Sequence, residues 1–103
     1  MDKRTVQITK DFAGKLRKKF NIFKIILFGS RARGDNLEQS DYDFIIVSKD
    51  FAKKPFVLRA SDLYDYWDDS LDIEVLCYTP EEFEKKKKQI GIVQQAVKEG
   101  VEL

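Results

Sequence analysis

Phe12, Leu16 and Phe20 recur four residues apart and Ala13 stands three before Leu16, with Lys15, Arg17, Lys18 and Lys19 between and around them. That is the period of a helix burying one stripe, and it predicts a first helix over residues 7–20. Ile22 to Phe28 is a continuous apolar run rich in β-formers that stops at Gly29-Ser30, which predicts a buried strand. A polar loop containing Gly34, Asp35 and Asn36 leads to a second strand, Asp41 to Val47, whose first half is polar on one face only. Beyond Pro55, Leu58, Leu63, Tyr66 and Trp67 have spacings that one side of a helix gathers. From Leu71 to Tyr78 the apolar Leu71, Ile73, Val75 and Cys77 alternate with Asp72, Glu74, Leu76 and Tyr78, the period of a third strand.

Thr79-Pro80-Glu81-Glu82 signals a helix start, with Thr79 as N-cap, Pro80 at the first helical position and Glu82 closing a capping box. That helix is expected to break near Gly91. A last helix, from about Ile92 to Glu99, ends at Gly100 and leaves Val101 to Leu103 as a tail or short edge strand. Helix, strand, strand, helix, strand, helix, helix describes an α+β domain, a small mixed β-sheet packed with helices, with strand pairing open. At 103 residues the chain is read as a single domain, 1–103, with no repeats or low-complexity linker. The run Lys85 to Lys88 reads as a solvated helix face.

Charge narrows the chemistry. Nineteen Lys and Arg oppose eighteen Asp and Glu, so bulk electrostatic binding of nucleic acid is not expected and any phosphate contact must be local. With no histidine, Ser-His catalysis and His-built metal sites are excluded. The single cysteine, Cys77, cannot form an internal disulfide and reads as a small core residue, and no stretch resembles a secretion signal or a bilayer span, so a cytoplasmic location is expected.

Carboxylates and a glycine turn remain. Gly29-Ser30 follows a strand and opens a turn or helix, where a missing Cβ lets an anion approach the backbone amides and the Ser30 hydroxyl. Arg31 and Arg33 add planar donors suited to phosphate oxygens. Asp41 and Asp43, two apart on a strand, project from one face with Cα atoms roughly 6.5–7 Å apart. They can converge on Mg²⁺ or Mn²⁺, the ions that all-oxygen ligands favour. Asp72 offers a third carboxylate from another strand, to complete a metal site or accept a proton. Glu74 shares its face, so the third acid is Asp72 or Glu74, with the apolar neighbours Leu71 and Ile73 favouring Asp72.

Each piece alone is commonplace, but the segment "GSRARGDNLEQSDYDFIIV", Gly29 to Val47, resembles the signature of the DNA polymerase β-like nucleotidyltransferases. The likeness to the minimal nucleotidyltransferase proteins, many of them antitoxins paired with HEPN-domain toxins, extends over nearly the whole chain, including "VKEGVEL" near its end. The resemblance implies the polymerase β-like fold. It implies nucleotide binding by Gly29 and Ser30, metal binding by Asp41 and Asp43, and Asp72 as the third acid. Arg31 and Arg33 fall on the family's basic turn. It further implies transfer of AMP or another NMP from an NTP, with ATP favoured, to a hydroxyl on a partner such as a HEPN-domain protein. Larger relatives add a helical domain that holds the acceptor or base. None is legible here, which would put the acceptor on a partner or on a second copy in a homo-oligomer. The rival expectation is a non-catalytic antitoxin whose nucleotide site is vestigial or regulatory. Tyr64, Tyr66 and Trp67 could stack on a base, but packing is the reading preferred for them.

Overall fold

The computed structural model describes every residue, Met1–Leu103. The first helix, α1 (Lys3–Lys19), starts earlier than the apolar stripe suggests because Asp2 caps it, its carboxylate accepting from the Thr5 amide at 2.7 Å. Strands β1 (Ile22–Phe28) and β2 (Tyr42–Ser48) run antiparallel and flank a one-turn helix, α2 (Ser30–Arg33). Strand β3 (Ile73–Tyr78) leads into α3 (Pro80–Lys87), α4 (Ile92–Glu99) and a two-residue strand, β4 (Val101–Glu102). The capping box at Thr79 and Glu82 is formed in both directions.

The four strands lie in the order β3-β2-β1-β4, with β3 parallel to β2 and the other pairs antiparallel. The sheet is thus mixed, within an α+β fold. One face carries Ile25, Leu27, Tyr42, Phe44, Ile46, Val75 and Cys77 against Phe12, Ala13 and Leu16 of α1. The other carries Ile26, Ile45, Val47 and Tyr78 against Phe83 of α3 and Val93 and Ala96 of α4. Alternation along β2 therefore sends Tyr42 towards α1 and Asp43 towards the α3 and α4 side. Gly100 lets the chain close on the sheet: a Cβ there would lie 2.6 Å from Ile26 Cγ2 and 2.8 Å from the Leu27 carbonyl oxygen.

The segment after Pro55 departs from the expected helix. It forms two isolated 3₁₀ turns, Phe56–Leu58 and Tyr64–Tyr66, because i to i+3 bonds such as Arg59 N to Phe56 O are not continued. The Ser61 hydroxyl takes the Leu58 carbonyl at 2.8 Å and ends the first turn. Leu63 is fully buried, and Trp67 packs edge-on against Phe12 while donating to the Leu71 carbonyl, so this aromatic belongs to the core.

Arg59, 6% exposed, fastens the segment to the edge of the sheet. Its Nη1 donates to the Cys77 carbonyl at 3.1 Å and to Glu82 Oε1 at 2.5 Å. Arg59 and the Thr79 amide hold the Glu82 carboxyl below its usual range. A depressed folded-state value means stability present above the ordinary Glu range and lost as pH falls through the folded value. Glu82→Gln keeps the capping acceptor and removes the charge. After discounting for the solvent exposure of Glu82, it should cost about 0.5–1 kcal/mol at pH 7. The gap from wild type should close as thermal melts are taken down towards pH 3. A gap that is unchanged in acid would assign the effect to packing.

Candidate active site

Gly29, Asp43 of β2 and Asp41, which lies one residue before β2 and not on it, are found at one end of the sheet, where β1 ends and β2 and β3 begin. Phe28 pairs with Asp43, which brings Gly29 directly against the Asp43 carboxylate. A Cβ built on Gly29 would lie 2.5 Å from Asp43 Oδ2, and Gly29 also has φ +76°, in the region that side chains avoid. Ser30 opens α2 immediately after it. The glycine thus answers two requirements at once, backbone conformation and room for a carboxylate.

Asp43 is half-buried, and its carboxyl is raised above the ordinary range. Burial is the main cause, followed by the negative charges of Glu74 and Asp41, with Arg33 opposing. The parallel register places Glu74 opposite Asp43. Asp72 lies one residue before β3, and its carbonyl accepts from the Tyr42 amide at 3.1 Å. Both open acids, Asp72 and Glu74, line a cleft of about 530 Å³ that also touches Asp41, Tyr64, Trp67 and Asp69. Asp69 is partly neutralised by Arg4 at 3.3 Å. Nowhere do three carboxylates close on one point as a ready-made ligand set.

The two arginines of the basic turn part company. Arg33 stays on the acid side, half exposed, 3.2 Å from Asp35 and 3.8 Å from Glu99, and lines a smaller cleft of about 190 Å³ with Gly29, Gln95 and Glu99. Arg31, expected among the phosphate donors, is 3% exposed and lies under the opposite face of the sheet. Its guanidinium stands 4.4 Å from the Tyr42 ring centroid and donates to backbone carbonyls of the loop before Asp41. Its donors are spent inside the protein. Cys77, 2% exposed, has a thiol pushed up to about 12 by burial, in keeping with a core residue.

A family model described as nucleotidyltransferase domain matches residues 9–100. The chain belongs to the nucleotidyltransferase family. A protein of Methanocaldococcus jannaschii named "Putative protein adenylyltransferase" is 34% identical over 76 residues, spanning 70% of this chain and 74% of its own. A second protein of that organism, bearing the same description, is 55% identical over 40 residues, 37% of this chain and 40% of the relative. In fold, this nucleotidyltransferase is similar to the crystal structure of a protein described as a "putative nucleotidyltransferase" from Sulfolobus solfataricus. That match has a TM-score of 0.66 at 24% identity and covers 96% of this chain and 78% of the other.

No helix of this nucleotidyltransferase is long and apolar enough to cross a membrane. The structure sets Glu74, as well as Asp72, in the cleft, which the sequence did not reveal. Alternation puts Asp72 and Glu74 on one face, and only the long-range register with β2 separates them.

Proposed function

We propose that this nucleotidyltransferase moves AMP, or another NMP, from an NTP to a hydroxyl on a protein partner. Gly29, Ser30 and Arg33 would face the phosphates, with Asp41, Asp43 and Glu74 as the working acids. The observation that carries this is the meeting of Gly29 with Asp43: phosphate-compatible backbone and a half-buried carboxylate share one surface. The register and the charge felt by Asp43 favour Glu74 over Asp72 as the third acid.

The donor set fits a divalent cation such as Mg²⁺ or Mn²⁺, since it is all oxygen and its carboxylates repel one another where they meet. Asp41 and Asp43 would hold the ion, with the rest of its ligands drawn from water and substrate phosphate. When bound, such an ion neutralises charge on the reacting phosphate oxygens. The residues do the positioning. Gly29 keeps the backbone close to the phosphates, and Ser30 offers its hydroxyl. Arg33 holds the non-transferred phosphates, and Glu74 accepts the proton of the acceptor hydroxyl. In the reaction the acceptor oxygen bonds to the α-phosphorus as the bond to the bridging oxygen breaks, and pyrophosphate leaves.

The charge layout supports a division of the surface. Asp41, Asp72 and Glu74 line the larger cleft without a cationic side chain, so a triphosphate belongs on the Arg33 side and the acceptor in the cleft. The relatives' printed descriptions support a protein acceptor and ATP as the donor, and the family resemblance alone favours a HEPN-domain toxin as the partner. The decisive experiment incubates the protein and a co-expressed HEPN-domain partner with ATP labelled at the α-phosphate. Label should enter the partner with Mg²⁺ and not with EDTA. A bound partner that stays unlabelled with all four NTPs would instead favour a non-catalytic antitoxin.

Arg33→Ala tests the phosphate side. It should raise the KM for ATP about tenfold with kcat nearly unchanged, as removal of uniform binding does. A fall in kcat alone would move Arg33 out of that role.

A further inference from the structure

Arg31 is a buried cation with no carboxylate within ion-pair distance. Its Nε donates to the Ser40 carbonyl at 3.2 Å, and its Nη2 reaches the same oxygen at 2.9 Å and the Glu38 carbonyl at 3.0 Å. Nη1 meets Thr5 Oγ1 of α1 at 3.5 Å. The guanidinium carbon lies over the ring of Tyr42, the residue between Asp41 and Asp43. Arg31 itself stands two residues after Gly29.

These contacts join the two halves of the candidate site from behind. Residues 34–40 form no regular element and are folded locally by a turn, in which Leu37 N donates to Ser40 Oγ at 2.9 Å and Ser40 N to the Leu37 carbonyl at 3.1 Å. The far end of that loop, just before Asp41, is tied to Arg31. A planar fork holds two carbonyls and a ring at once, whereas an ammonium group concentrates its donors at a single point. The bonds also satisfy a buried cation that makes no direct ion pair.

We propose that Arg31 is a positioning residue that fixes Asp41 and Asp43 against Gly29-Ser30 by anchoring the carbonyls of Glu38 and Ser40. The inference rests on the nucleotidyl-transfer reading above. It assigns Arg31 to alignment and leaves nucleotide affinity to the other face.

The test uses Arg31→Lys, which keeps charge and stem, and Ser40→Gly, which loosens the same loop from its half-exposed side without touching the core. Steady-state transfer kinetics at saturating Mg²⁺ are combined with hydrogen exchange of the amides of residues 38–42. Arg31→Lys should lower kcat about 10²-fold, the scale of a displacement near 1 Å, with the KM for ATP within about threefold of wild type. Ser40→Gly should lower kcat several-fold in the same manner, and both should speed exchange at residues 38–42 about tenfold. A raised KM at unchanged kcat in Arg31→Lys would overturn the proposal and make Arg31 a phosphate ligand. Unchanged kcat in Ser40→Gly, or exchange equal to wild type, would overturn the anchoring of the loop. Should Arg31→Lys fail to fold, Ser40→Gly decides. If the wild-type protein transfers nothing, the proposed function fails by itself, and the exchange comparison still judges the anchor.

Discussion

Asp43→Asn is expected to abolish nucleotidyl transfer and, in metal-free buffer, to make the protein more stable. On the proposed function, the loss of activity follows from removing a charged metal ligand, and should reach about 10³-fold or more in kcat. The gain in stability follows from the state of the native side chain. Burial and the charges of Glu74 and Asp41 raise the Asp43 carboxyl, so its ionised form at neutral pH is disfavoured in the folded protein relative to the unfolded chain. Asparagine keeps the shape and drops the charge. With solvent screening discounted, the gain is on the order of 1 kcal/mol, or about 4–8 °C in Tm for a domain of this size. Mg²⁺ should narrow or reverse the difference by stabilising the wild type preferentially. Melts of both proteins in EDTA and in Mg²⁺ check this. A destabilised mutant that ignores the metal would show that Asp43 serves the fold.

Gly29→Ala should fail for the opposite reason, by harming both fold and function. The new methyl would lie 2.5 Å from Asp43 Oδ2, and φ +76° is strained for any side chain. Together the two effects should cost about 2–3 kcal/mol, and transfer should fall at least tenfold as the carboxylate is pushed aside. The two causes are separable. Combined with Asp43→Ala, Gly29→Ala should recover the part of its loss that comes from the clash, a coupling of about 0.5–1.5 kcal/mol, while the backbone strain stays. Strict additivity in denaturant melts would mean that the glycine is needed for its dihedral angle alone.

Much of this arrangement is legible along the chain because it is written locally. The four-residue stripe of α1, the apolar run of β1 and the reciprocal cap at Thr79 and Glu82 each predict the element that forms. Residues 56–67 mislead because the apolar spacing suits a helix while Arg59 and Ser61 spend their hydrogen-bonding groups on ending turns and holding the sheet edge. For the site, the proximity of Gly29 to Asp43 follows from two strands joined through a short turn and loop. The division of Arg31 from Arg33 was also within reach: residues two apart on a helix project about 200° from each other, so a helical basic turn cannot aim both at one phosphate. The choice between Asp72 and Glu74 was not, because both lie on the same face of the strand and only the pairing of Asp43 with Glu74 across the sheet separates them.

That pairing has a kinetic meaning. Gly29, just after β1, and Asp41 and Asp43, at the start of β2, adjoin neighbouring antiparallel strands close in sequence, whereas Glu74 joins them on a parallel edge strand only once the connection spanning residues 49–72 has closed. Strand β3 thus carries the charge that Asp43 resists at one edge of the sheet, held there by the buried Val75, Cys77 and Tyr78. Any opening that parts β3 from β2 also parts the like charges of Glu74 and Asp43, so in metal-free buffer their repulsion lowers the cost of that opening.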